Sequence, residues 1–168
     1  RLRFLQVMPQ ATTSETGGKT MINIAIDGPA GAGKSTIARS LASKLGYIYV
    51  DTGALYRAVG VNAMRNGADT KNAEQVGATL EGADVSLRFV NGEQRVFLGE
   101  EDVSVAIRTP EASMAASNVS AIPAVREFLF DLQRDIAAKN NCIMDGRDIG
   151  TVVLPDAQIK LFLTASAE

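Results

Sequence analysis

The chain has 168 residues, of which 46% are hydrophobic and 21% charged, with a formal net charge of −2. This balance is typical of a globular domain with a sizeable core and excludes wholesale disorder, while the near-neutral charge disfavours a general electrostatic grip on nucleic acid. Histidine is absent and Cys142 is the one cysteine. Internal disulfides, multi-cysteine zinc sites and Ser-His-Asp or Cys-His catalysis are therefore excluded.

The first twenty residues differ in composition from the rest of the chain. Residues 1–8 are basic and apolar, and residues 11–19 are polar and glycine-rich, as linkers are. We expect residues 1–20 to be a disordered or non-native tail, with a targeting segment as the weaker alternative, and the fold to begin at Met21. No run reaches the roughly 18 apolar residues that a transmembrane helix needs, so we expect a cytoplasmic protein without membrane contact.

From Met21 onward the pattern predicts strands that alternate with helices. A β-branched run predicts a buried strand at residues 22–26. One apolar face predicts a helix at residues 34–45, which Gly46 would end. A second strand is expected at residues 47–50, and a second helix at residues 54–66.

The middle of the chain departs from this alternation. Val85, Leu87 and Phe89 alternate with polar residues, Asn91-Gly92 is a strong two-residue turn, and residues 95–98 can return as a second strand. A small antiparallel insert is therefore predicted. The later predicted elements are two proline-initiated helices and two buried strands, at residues 110–120, 123–140, 142–144 and 159–163. The fold class is α/β, a doubly wound parallel sheet with helices on both faces and this antiparallel insert.

A glycine-rich loop lies between the first predicted strand and helix. It reads GPAGAGKS and matches G-x-x-x-x-G-K-[ST] completely. Glycines let successive backbone N–H groups turn around a phosphate, and the helix N-terminus adds partial positive charge. Lys34 would reach the β- and γ-phosphates, and the Ser35 hydroxyl would hold Mg²⁺. The predicted ATP phosphate-binding positions are Gly28, Pro29, Ala30, Gly31, Ala32, Gly33, Lys34, Ser35 and Thr36.

This loop does not by itself separate ATPases, GTPases and kinases. A dinucleotide-binding loop is disfavoured, because Thr36 stands where that motif needs its third glycine. No Asn-Lys-x-Asp motif of the kind that reads guanine is present. The loop therefore predicts a triphosphate-binding site, but it does not indicate which reaction the site serves.

Two further polar clusters follow predicted strands. The first reads DTGALYR at residues 51–57, and the second reads DGRD at residues 145–148. Ligands of α/β sheets bind at the carboxyl ends of strands, where these clusters fall. Asp51 or Asp145 could help Ser35 to place the metal through water. An N-cap with a solvated arginine would explain the first cluster alone, whereas the second is unusually charged for a turn beside an apolar strand.

These motifs, with EDVSVAIRTPEASMAASNVSAIPAVRE and DGRDIGTVVLPDA, resemble those of bacterial cytidylate kinases, which are nucleoside monophosphate kinases. The resemblance covers residues 22–168. It implies transfer of the ATP γ-phosphate to CMP or dCMP, with Mg²⁺ as cofactor and ATP as co-substrate. It also implies a core at residues 21–66 and 141–168 and a monophosphate-binding region at about 67–140. By the same resemblance, the chain is expected to stop at the start of the lid segment, without the lid or the last strand of the sheet.

The resemblance assigns roles at the matching positions. Lys34, Arg57 and Arg147 would be catalytic, and both arginines would bind the CMP phosphate. Cytosine offers an N4 amino donor, which a carboxylate can accept, and O2 and N3 acceptors, to which arginine and serine can donate. The implied CMP-binding residues are Thr52 and Arg57, Ser117 and Arg126, and Arg147 and Asp148, of which Ser117, Arg126 and Asp148 read the base.

Two alternative functions stay open at this point. One is a kinase for another small acceptor, such as UMP or shikimate. The other is a non-catalytic nucleotide-binding module, which predicts no acceptor site and a sizeable exposed apolar patch. The preference among CMP, dCMP and UMP is also open, and a chain without the lid is expected to be weakly active or inactive. We expect a monomer that binds small molecules and no nucleic acid.

Overall fold

The computed structural model describes residues 20–91 and 93–164. In chain order the numbered elements are β1 (Asn23–Asp27), α1 (Lys34–Leu45), β2 (Ile48–Asp51), α2 (Thr52–Arg65), α3 (Ala73–Leu80), β3 (Val85–Val90), β4 (Glu93–Leu98), β5 (Glu101–Asp102), α4 (Pro110–Val119), α5 (Pro123–Lys139), β6 (Cys142–Gly146) and β7 (Ile159–Phe162). A 3-10 turn at Ala106–Arg108 and a π-helical turn at Ile149–Val153 complete the secondary structure of the described residues.

The described residues form two units. Unit 1 contains residues 20–51 and 133–164, and unit 2 contains residues 52–91 and 93–132. Helix α5 contributes its first part to unit 2 and its last part to unit 1. Helix α2 belongs to unit 2, where it packs along α4.

Unit 1 is built on a parallel sheet with the strand order β2-β6-β1-β7, flanked by helices. The apolar side chains of β1 and β6 are buried, as expected for central strands of a parallel sheet. Helix α1 places Ala38 and Ala42 in the core beside Ile26 and Ile143. Its predicted end is confirmed, since Gly46 takes a left-handed conformation and its N–H donates to the Ala42 carbonyl.

Unit 2 combines helices with the predicted antiparallel insert, in the strand order β3-β4-β5. The pairing runs from Val85 opposite Leu98 to Val90 opposite Glu93, so the hairpin register is that expected for a turn at Asn91-Gly92. Asn91 has φ +52°, as a two-residue turn of the primed type requires, whereas Gly92 lies outside the described residues. The helices of this unit share one apolar core with Val85 and Val96.

The predicted ends of several strands and of one helix are wrong. Strands β1, β2 and β6 each extend past their apolar runs to include Asp27, Asp51 and Asp145. The ladder hydrogen bonds continue there, although the side chains are polar. Helix α2 begins at Thr52 and not at residue 54. Helix α3 and strand β5 were not predicted, because they are only eight and two residues long.

Among the described residues, no helix has the length and apolar character that crossing a bilayer would require.

A glycine in the middle of α2 sets how closely that helix approaches α4. A Cβ built on Gly60 would lie 2.8 Å from the Ala115 Cβ and 3.1 Å from the Ala115 backbone carbon. We expect Gly60→Ala to lower the free energy of unfolding by about 1–2 kcal/mol, because overpacking outweighs the roughly 1 kcal/mol gain in helix propensity. The measurement is the urea midpoint of the two chains.

Gly77 provides the matched control for this substitution. It lies in α3 of the same unit, and a Cβ added there would meet no atom within 4 Å. Gly77→Ala should therefore leave the urea midpoint unchanged or raise it. A Gly60→Ala chain as stable as the Gly77→Ala chain would contradict the close approach of α2 and α4.

Candidate active site

The glycine-rich loop adopts the strand–loop–helix arrangement that its motif predicts. It leaves β1 after Asp27 and enters α1 at Lys34. Gly33 precedes the helix in a left-handed conformation with φ +80°. The Lys34 ammonium donates to the Pro29 carbonyl oxygen at 2.7 Å, which folds the lysine back over its own loop. The loop backbone and the Lys34 ammonium therefore lie together on one short segment.

Gly28 is the most constrained residue of this loop. Its φ is +147°, a conformation that residues with a Cβ rarely adopt. A Cβ at this position would also collide with the backbone carbonyl oxygen of Leu163, just after β7. The first glycine of the motif is thus required by packing within unit 1 as well as by access to a phosphate.

The hydroxyl of Ser35 is held by a carboxylate from the neighbouring strand. Ser35 Oγ donates to Asp145 Oδ2 at 2.8 Å, and Asp145 is only 5% exposed. Asp51 lies opposite Asp145 in the β2–β6 register, so these two acidic residues are direct neighbours across the sheet. Burial raises the pKa of Asp145 and the charge of Asp51 adds to this, while the Ser35 hydrogen bond opposes both.

Tyr49 belongs to this cluster, although no motif in the sequence points to it. It lies two residues before Asp51 in β2, and side chains two apart in a strand project from the same face. Burial raises the pKa of Tyr49, and the charges of Asp51 and Asp145 raise it further. The Arg39 guanidinium lies over the Tyr49 ring, 5.3 Å from its centre. The period of two from Asp51 is the signal that could have found it.

The donor set in this cluster fits Mg²⁺. The cation prefers hard oxygen ligands and is usually held by one or two protein groups together with phosphates and water. Ser35 supplies a hydroxyl whose orientation Asp145 already fixes. Asp145 and Asp51 place two carboxylates in register beside it, and the charge of Asp51 adds to the burial that raises the pKa of Asp145. These three residues would hold the ion.

The DGRD segment begins within the same strand, with Asp145 and Gly146 in β6 and Arg147 and Asp148 directly after it. Arg147 is exposed and Asp148 is partly buried. The π-helical turn Ile149–Val153 comes next, and the Val152 N–H donates to the Asp148 carbonyl oxygen at 2.9 Å. Arg147 and Asp148 therefore stand between a buried strand and a hydrogen-bonded turn, within unit 1.

Asp27 fixes the start of that turn. Like Tyr49, it is not one of the predicted site residues. Its Oδ1 accepts from the Ile149 N–H at 2.7 Å and its Oδ2 from the Gly150 N–H at 2.8 Å. Asp27 is 7% exposed. An acidic residue at the buried end of a strand was visible in the sequence, but its partners lie more than 120 residues away along the chain.

The remaining predicted site residues lie in unit 2. Thr52 is the buried first residue of α2, and Arg57 is partly buried on the same helix. Ser117 is exposed on α4, which packs along α2, and Arg126 is exposed on α5. Each unit thus presents part of the predicted set, with the triphosphate, metal and DGRD positions in unit 1 and these four in unit 2.

Comparison with known proteins identifies the family to which the chain is similar. The family model described as "Cytidylate kinase" matches residues 24–168. The cytidylate kinase of Caldicellulosiruptor bescii is 55% identical over 147 residues, which cover 88% of this chain and 65% of that protein. That of Pelotomaculum thermopropionicum is 56% identical over 149 residues, with 87% and 65% covered. That of Carboxydothermus hydrogenoformans is 52% identical over 147 residues, with 88% and 66% covered.

The chain spans about 65% of the length of these curated relatives. The matched region includes the glycine-rich loop, the Ser35–Asp145 pair and the DGRD segment. The motifs, the parallel sheet with its antiparallel insert and the matches over nearly nine-tenths of the chain agree with one another. The chain belongs to the cytidylate kinase family.

Proposed function

We propose that this chain carries the phosphate-binding and acceptor-binding parts of an ATP:CMP phosphotransferase. The observation that carries the proposal is the Ser35–Asp145 pair at the phosphate loop, with the DGRD segment continuing from the same strand. A nucleotide switch needs a phosphate loop but no second anion site, so Arg147 and Asp148 favour a kinase over a non-catalytic module. Family membership supports the same choice.

The proposed reaction is an in-line displacement at phosphorus. An oxygen of the CMP phosphate attacks the γ-phosphorus of ATP, a new O–P bond forms, and the bond to the β,γ-bridging oxygen breaks, which gives CDP and ADP. A phosphate oxygen is already a nucleophile at neutral pH, so the lack of histidine is no obstacle. Catalysis then depends on positioning and charge neutralisation.

The residues of the chain supply these effects in distinct ways. Lys34 would exchange its hydrogen bond to the Pro29 carbonyl for one to a β- or γ-phosphate oxygen, which is a stronger, charge-assisted bond. Arg57 and Arg147 would hold the acceptor phosphate. Ser35, aligned by Asp145, would orient the ion site, and Mg²⁺ when bound would draw negative charge from the phosphate oxygens.

Base selection would rest on Ser117, Arg126 and Asp148. A carboxylate at Asp148 accepts from the cytosine N4 amino group, whereas uracil presents a carbonyl oxygen at that position. A buried polar group left without its partner discriminates strongly between ligands. CMP or dCMP is therefore favoured over UMP as the acceptor. The proposal includes a monomer acting in the cytoplasm with small-molecule substrates and without nucleic acid or membrane partners.

Calorimetric titration of the chain with monophosphates tests this proposal. We expect CMP to bind at least about tenfold more tightly than UMP or AMP, since one charged hydrogen bond contributes about 1.5 kcal/mol or more. Binding is measured instead of turnover, because it reports the acceptor site directly. A parallel ATP titration shows whether the phosphate loop is intact. Tight ATP binding with no preference among the monophosphates would contradict the acceptor assignment.

A further inference from the structure

Asp27 is a buried acidic residue that the proposed reaction does not use. It immediately precedes Gly28, the first residue of a loop suited to a polyanionic triphosphate. A carboxylate beside such a ligand is repulsive, and burying it costs free energy unless its oxygens are hydrogen-bonded. Its presence at 7% exposure therefore calls for a role within the protein.

Its two oxygens are both engaged by consecutive backbone amides. Oδ1 accepts from Ile149 at 2.7 Å and Oδ2 from Gly150 at 2.8 Å, distances typical of bonds to an ionised carboxylate. Asparagine cannot reproduce this pattern, because its amide group offers one acceptor and places donors where the second acceptor must be. The geometry is specific for a carboxylate at position 27.

The contact between Asp27 and Gly150 is also close enough that a shift of one residue would displace the other. A Cβ on Gly150 would fit tightly, 3.3 Å from Asp27 Oδ2 and 3.2 Å from two methylene carbons of Lys160. The Asp27 carbonyl oxygen accepts from the Leu163 N–H at 2.8 Å, which fixes the residue from its other side. Asp27 thus clamps residues 149 and 150 to the end of β1.

The clamped residues follow Arg147 and Asp148 directly. The Asp148 carbonyl accepts from Val152, so the backbone of Asp148 belongs to the same turn that Asp27 holds. We propose that Asp27 is a positioning residue for the acceptor nucleotide: its carboxylate fixes the turn at Ile149–Gly150 and thereby the placement of Arg147 and Asp148. The identity of the acceptor rests on the proposed function, while the anchoring does not.

Asp27→Asn is the direct test, with Asp156→Asn as matched control. Asp156 is exposed in the same unit, and its substitution removes the same charge. For Asp27→Asn we expect CMP affinity to fall about tenfold, as for a buried hydrogen-bonding group left unsatisfied, with ATP affinity changed less than about threefold. Amide exchange at Ile149 and Gly150 should accelerate at least about tenfold. The control should match the unsubstituted chain in all three measurements.

Gly150→Ala approaches the same contact from the other side and guards against misfolding of the first variant. Its Cβ would press on the Asp27 carboxylate, so it should also weaken CMP binding and spare ATP binding. In the double variant the two losses should be less than additive, because both disrupt one contact. Equal loss of CMP and ATP affinity in both variants would reduce Asp27 to a general structural role and overturn the proposal.

The two hypotheses fail in different ways. If the unsubstituted chain binds ATP but no monophosphate, the proposed function is contradicted, and amide exchange at Ile149 and Gly150 then decides the anchoring alone. Unchanged exchange in Asp27→Asn would overturn the clamp whatever the nucleotide data show. Faster exchange together with a selective loss of CMP affinity would support both.

Discussion

A Gly28→Ala chain should lose about 3 kcal/mol of unfolding free energy and its ATP binding with it. Two costs add at this position. The φ of +147° is a conformation that costs a residue with a Cβ roughly 1–3 kcal/mol, and a collision with a backbone carbonyl costs a similar amount through forced displacement. The opposing atom is the Leu163 carbonyl oxygen, which cannot rotate away as a flexible side chain would. Urea unfolding and an ATP titration measure the two losses.

Gly46→Ala is the matched control for that substitution. Gly46 also has a positive φ and lies in unit 1, but a Cβ added there would meet no atom within 4 Å. Only the conformational cost of about 1 kcal/mol should appear, with ATP binding retained. A Gly28→Ala chain that unfolds at the same urea concentration as Gly46→Ala would show that the Leu163 carbonyl can move at little cost.

The second large effect is expected at Asp148. Under the proposed function, Asp148→Ala removes the acceptor for the cytosine amino group and should weaken CMP binding by about 10- to 100-fold, the range for a hydrogen bond to a charged group. ATP affinity should stay within about twofold, because the phosphate loop is made of other residues. The preference for CMP over UMP should fall with the CMP affinity.

Asp156→Ala separates this effect from a general change in charge. Asp156 is exposed beyond the π-helical turn and has no assigned contact with a nucleotide. It should bind CMP, UMP and ATP as the unsubstituted chain does. If Asp148→Ala weakened CMP and UMP binding to the same extent, Asp148 would not be the residue that reads the base.

Local patterns in the sequence were sufficient for most of the fold. Helix α1 was predicted with its observed bounds, since its apolar face, the loop before it and Gly46 after it all act within a few residues. The hairpin of β3 and β4 was predicted for the same reason. Strand ends were misplaced at Asp27, Asp51 and Asp145, because a polar side chain at a strand end resembles the start of a loop until its pairing partner is known.

The site was predictable as motifs but not as contacts. The sequence identified Ser35 and Asp145 separately, yet their hydrogen bond joins residues 110 positions apart. Asp27 and Tyr49 were missed because neither belongs to a motif that indicates a catalytic or binding role. Their importance depends on register and on which backbone amides the fold brings to them. Such long-range pairings are set by tertiary packing, which no local pattern records.

The contact between Gly60 and Ala115 has a consequence for how the acceptor site keeps its dimensions. It holds α2 and α4 at a fixed separation, and these helices carry Arg57 and Ser117, the residues proposed for the phosphate and the base. Under the proposed function, the close approach of Gly60 to Ala115 would therefore help to set the distance between Arg57 and Ser117. Residues that never touch the nucleotide would then help to determine which acceptor fits, and a search for altered specificity could begin at that helix crossing.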